Sequence, residues 1–351
     1  MEEKENFKSN IKAIVAAVLA AGILLGGFFL VKHLMHPREY TKIIASNFAA
    51  YDIARAVMGD GSKITMLVEP GKNPHEYEPS EDDINAIKNS DLFIYFGSDA
   101  ESWIQNIDGA EEGYAEGLLK LSNFGSLRSK PKAPVENTES ENDSESQTAP
   151  DYAKYQDNYY RRDSDESFDY HVWASLSNAI TMTHVVADRL SQMYPENREK
   201  YYENAQKYSS RLNDIDQKIR RIVMYGNKKH LIFADRFPFQ YLASDYNIDY
   251  YSAGLGCEKE TKVEENAVST LTEKAKAEDI GVILKTEMSD GGLANAVAEA
   301  VGAKVLELNA AHVISGQDFS AGVTLADIME KNAEVIKEAL DSHDPLEQQQ
   351  H

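Results

Sequence analysis

The sequence predicts an α/β protein: two lobes of mainly parallel sheet flanked by helices, joined by one long rigid helix and preceded by an N-terminal membrane anchor. Three observations carry this. Strand and helix patterns alternate over residues 39–126 and again over 227–340, an order that gives parallel sheet with right-handed crossovers. Between them, residues 196–226 read as one unbroken helix; about 30 residues at ~1.5 Å each span roughly 45 Å, more than one lobe. Residues 13–31 are 19 consecutive uncharged, mostly apolar positions, near the minimum for crossing a bilayer.

Taken in order, residues 1–38 form the anchor or signal. The apolar run is long for a cleaved signal and no small-x-small site follows it, so an uncleaved anchor is expected. No cysteine lies near it, which excludes lipid attachment there. Lys4, Lys8 and Lys12 before the run balance Lys32, Arg38 and Lys42 after it, so charge does not set orientation.

The first lobe, 39–126, opens with a strand at Lys42–Ser46 and a helix at Asn47–Met58. The helix has an apolar stripe of Phe48, Tyr51, Ala54, Val57 and Met58, leaving Asp52 and Arg55 on a face expected to be solvated. A strand at Ile64–Val68 ends at Glu69-Pro70-Gly71. Ser80 then caps a helix with acids in its first turn, and Asp91–Gly97 reads as a buried strand.

Residues 127–170 read as a flexible acidic loop. Glu136–Ser146 in particular is too polar to bury a core. Residues 171–195 return to the first lobe as helix, broken near Pro195.

The second lobe, 227–340, has strands at Lys229–Phe233, Gly281–Lys285 and Lys304–Leu308. Its helices are expected at Phe237–Tyr246, at Leu293–Val301 before Gly302, and at Leu325–Leu340. The tail, 341–351, reads as disordered.

Composition narrows the function. The net charge is −22, with 58 acidic against 36 basic residues; such a surface repels nucleic acid and attracts cations. Cys257 is the only cysteine, so intrachain disulfides and thiolate metal clusters are excluded.

Three histidine motifs remain: Asn73-Pro74-His75-Glu76-Tyr77-Glu78, Tyr170-His171-Val172-Trp173 and Asn309-Ala310-Ala311-His312. Each sits in a loop, where α/β folds gather ligands, and imidazole is the commonest zinc ligand. Each can instead be an ordinary loop histidine. Trp173 suits either the wall of a site or the core. Asp235 can be an oxygen ligand or the salt-bridge partner of Arg236, and Glu287 is another possible oxygen donor. The zinc-hydrolase signature His-Glu-x-x-His, phosphate-binding glycine loops and the esterase elbow are all absent from the sequence.

Over roughly residues 40–340 the chain resembles the solute-binding proteins of bacterial zinc and manganese ABC importers. The resemblance is carried by Ile43–Met58, Asn73–Pro79, Ser90–Gly97, Tyr170–Trp173, Gly302–Leu306 and Ala326–Asn332, in that order. It implies metal bound in a cleft between two lobes, delivery to an ABC transporter permease, and no enzymatic activity. Placement at the cell surface or in the periplasm, anchored through the N-terminal helix, and a monomeric state are also expected. His75 and His171 match the first two family ligands. The third falls at Arg236, which is always protonated and cannot ligate; Asp235 is the nearby substitute. The fourth falls near His312. The expected set is therefore His75, His171 and His312, with Asp235 or water completing it. Three neutral nitrogens favour zinc over manganese. The alternatives are a metal-dependent surface hydrolase, or an adhesin or scaffold with a degenerate site.

Overall fold

A computed structural model of the chain describes residues 41–107, 117–129, 168–254, 266–287 and 289–343. The apolar run at 13–31, most of the acidic loop and Cys257 lie outside the described residues. Among the described residues no helix is long and apolar enough to cross a membrane.

Strand β1 (Ile43–Ala45) is buried throughout. Parallel partners β2 (Ile64–Met66) and β3 (Leu92–Tyr95) flank it, and β4 (Leu118–Lys120) pairs with β3. The sheet order is β2-β1-β3-β4. These strands are runs of apolar residues rather than alternations because both faces are covered. Helix α1 (Phe48–Met58) starts at Asn47, whose side chain accepts from Ala50 N, and stops at Gly59 with φ 72°. Helix α2 (Glu81–Lys88) starts with a reciprocal Ser80–Asp83 capping box.

One feature of α1 departs from the sequence reading. Asp52 is not on a solvated face: it is 0% exposed. Its carboxylate pairs with Arg55 and accepts from Tyr208 Oη at 2.6 Å and Leu325 N at 2.8 Å. A helix packed on two sides has no solvated stripe, and a buried charge persists there because every partner is supplied.

The ends of the acidic segment are ordered. Strand β5 (Arg128–Ser129) pairs antiparallel with β6 (Phe168–Asp169). Tyr241 Oη ties the pair down, donating to Asp169 O at 2.6 Å while Arg128 N donates to it at 3.0 Å.

Helix α3 (Leu176–Met193) follows, then the long helix α4 (Arg198–Met224), 27 residues. A 3-10 turn at Pro195–Asn197 separates them. Helix α4 has charged residues on one side and Tyr201, Ala205, Tyr208, Leu212, Ile215, Ile219 and Ile222 buried on the other.

The second sheet contains β7 (His230–Phe233), β8 (Asp249–Ser252), β9 (Val282–Thr286) and β10 (Lys304–Leu308), in the order β10-β9-β7-β8. Numbered by chain order within each sheet, both sheets run 2-1-3-4, and all their pairings are parallel. Helices α5 (Gln240–Tyr246), α6 (Ala267–Ala277), α7 (Gly292–Val301), α8 (Gly316–Ser320) and α9 (Leu325–Ala339) accompany it. Strands β4 and β8 and helices α6 and α8 have no counterpart in the sequence reading. The strands are too short to establish a period, and α6 buries only Ala267, Leu271 and Ala275.

One apolar core runs through both halves, from Ile43 and Leu92 through Leu212 and Ile219 to Leu284 and Ile336. A second lies on the other face of the second sheet, around Ile232, Leu271 and Ile283. The start of the tail is ordered: Ser342 is buried and bridges to Gly226.

Candidate metal site

Each of the three histidines leaves a strand end or short connection under local control. His75 sits in a 3-10 turn, Pro74–Glu76, which Asn73 caps by accepting from His75 N at 3.1 Å. Pro74 at the start of the turn presets its φ. His171 follows β6 after Tyr170, before a turn at Val172–Ala174. His312 follows β10 across Asn309-Ala310-Ala311. Ala311 there has φ 55°, and Asn309 Oδ1 accepts from Ala311 N at 2.7 Å.

The structure brings these three together. One ring nitrogen from each of His75, His171 and His312 lies within 4.8 Å of the others. The His75 and His312 ring centres are 4.7 Å apart, and those of His171 and His312 are 5.1 Å apart, both edge-on. Zinc held at about 2.0–2.1 Å by tetrahedral nitrogens sets them about 3.4 Å apart, so small ring shifts close the distance.

His171 has its second nitrogen committed. Nδ1 is 2.5 Å from Asp169 Oδ1, which also accepts from His171 N at 2.8 Å. A carboxylate on one ring nitrogen is the arrangement that orients metal-binding imidazoles generally. His312 has its pKa pushed well below the ordinary 6.5 by burial, then by His171, His75 and Arg236. It is therefore neutral at pH 7, the form that ligates.

Trp173 serves both of its expected roles. It is buried, and its Nε1 donates to Ala310 O at 2.9 Å, while its ring centre lies 6.0 Å from that of His312. Glu287 stands behind the His312 loop, with Oε2 accepting from Ala310 N at 3.0 Å and Oε1 from His312 N at 3.1 Å. Burial raises its pKa.

Asp235 is not in the cluster. Its Oδ1 accepts from Arg236 N at 2.8 Å, and its Oδ2 accepts from Thr286 N and Oγ1, both at 3.1 Å. Both oxygens are thus engaged, Oδ1 by the next residue and Oδ2 in joining the ends of β7 and β9. Among the described residues the cluster of possible metal-binding groups is the three histidines alone. Sequence reasoning gave no role to Asp169, although its place two residues before His171 is visible in the chain.

A family model described as the periplasmic zinc-uptake complex component A, ZnuA, matches residues 43–339. The chain belongs to this family. It is a family of uptake components rather than enzymes. The resemblance drawn from the sequence motifs therefore stands. Among relatives of this ZnuA-family chain, the zinc-binding lipoprotein AdcA of Streptococcus pneumoniae is 26% identical over 304 residues, 86% of this chain and 56% of the relative. The chain thus spans about half the length of the AdcA relatives it matches. The high-affinity zinc uptake system protein ZnuA of Bacillus subtilis is 25% identical over 299 residues, 85% of this chain and 87% of the relative.

Solved structures share the fold. The metal-dependent lipoprotein YcdH of Bacillus subtilis superposes with a TM-score of 0.67 at 22% identity, covering 86% of this chain and 99% of that one. The Zn(II)-bound ZnuA-like domain of Streptococcus pneumoniae AdcA gives 0.63 at 23% identity, covering 87% and 100%.

Proposed function

We propose that this chain captures zinc outside the cytoplasm through His75, His171 and His312 and hands it to an ABC importer. The observation that carries the reading is the convergence of three imidazole nitrogens from three separate segments. Neutral nitrogen donors suit zinc better than manganese, which favours oxygen. The names of the relatives, a zinc-binding lipoprotein for AdcA and a high-affinity zinc uptake system protein for ZnuA, point the same way. Water completes a tetrahedral shell, since Asp235 is engaged elsewhere. Capture needs no bond-making chemistry.

Residues 13–31 supply the membrane tether in this reading. The AdcA relative is named a lipoprotein, whereas here the single cysteine is Cys257, far from the apolar run. The chain acts as a monomer beside its permease.

The test is uptake. Cells lacking this chain should take up zinc poorly at limiting metal. The wild-type gene should restore uptake, and a gene carrying His75→Ala and His171→Ala should not. Full restoration by the double variant would refute the role.

A further inference from the structure

We propose that Glu287 is a positioning residue that aims His312 at the metal. This rests on the reading of His75, His171 and His312 as ligands and adds a group that donates no atom to the metal. Glu287 follows β9, and His312 follows its neighbour β10. The two carboxylate oxygens each take one main-chain N–H, from Ala310 at 3.0 Å and from His312 at 3.1 Å.

These bonds straddle Ala311, whose φ of 55° lies in the left-handed region that residues with side chains seldom adopt. That conformation turns the chain between residues 310 and 312. It therefore sets the direction in which the His312 Cβ leaves the backbone.

Other ties hold the earlier part of the loop. Asn332 brackets Asn309, accepting from its N at 2.9 Å and donating to its O at 2.7 Å. Trp173 holds Ala310 O. Of these ties, the Glu287 pair is the one that reaches residue 312. A carboxylate suits the task because it offers two acceptors to two donors. An amide of the same size offers one acceptor and turns an N–H2 towards an N–H.

The experiment is Glu287→Gln in the full chain, with zinc affinity measured by chelator competition and the zinc shell by X-ray absorption. Affinity should fall roughly 10–100-fold, as for other groups that orient metal ligands. The histidine count should drop from three to two, while the metal-free protein still unfolds cooperatively. Unchanged affinity would overturn the proposal. So would weaker affinity with three histidines retained, which would make Glu287 only a source of negative charge. If Glu287→Gln does not fold, Glu287→Asp replaces it: its shorter arm should weaken zinc roughly threefold or more, and wild-type affinity would overturn the proposal. Failure of the wild-type chain itself to bind zinc is a separate outcome, which removes the ligand reading and, with it, the role assigned to Glu287.

Discussion

His171 Nδ1 and Asp169 Oδ1 lie 2.5 Å apart, and the same oxygen holds the His171 backbone N–H. One carboxylate thus fixes the ring, its tautomer and the start of the following turn. Asp169→Ala should weaken zinc binding roughly tenfold or more. Chelator competition reads this, and wild-type affinity in the variant would show that the ring needs no such support.

The metal-free protein should lose stability as pH falls below 6.5. Burial depresses the pKa of both His184 and His312 below that value. The unfolded chain binds a proton near pH 6.5 that the folded chain refuses, so the contribution is full above 6.5 and declines beneath it. Urea unfolding between pH 7.5 and 5.5 measures the slope. His184→Gln should reduce it without abolishing it, because a glutamine does not titrate while His312 still does; an equal slope would assign the loss elsewhere.

Arg236 should oppose the metal. Its charge already disfavours protonation of His312, and the same repulsion acts on a dication. Arg236→Gln should tighten zinc binding by about three- to tenfold at low salt, with the gain shrinking as salt screens the charge. Weaker binding in the variant would show that the guanidinium supports the site.

Asp52 is the buried charge that joins α1, α4 and α9 through Tyr208 and Leu325. Asp52→Ala leaves Arg55 without that partner and two donors unsatisfied. A loss of roughly 3–5 kcal/mol is expected, read by chemical denaturation. A loss under about 1 kcal/mol would mean that water replaces the carboxylate.

Much of this was legible in the chain. A charge-striped helix such as Arg198–Met224 announces its own period, and a short apolar run bounded by turn residues, such as Leu92–Tyr95, reads as a buried strand. Short elements did not: β4 and β8 are defined by the strands beside them. Three loop histidines were visible as candidates, but the sequence could not say what lay behind them. Asp235 stood one residue from a family ligand position, yet its Oδ2 accepts from Thr286, 51 positions away. The burial of Asp52 is likewise set by Leu325, 273 positions on. Partners at such separations exist only in the folded chain.

The decisive measurement is zinc titration by calorimetry of the metal-free protein beside His75→Ala, His171→Ala and His312→Ala. Tight one-to-one binding in the wild type, lost or greatly weakened in each variant, is the expected result. Wild-type affinity in any one variant would remove that histidine from the site, and no binding by the wild type would contradict zinc capture altogether.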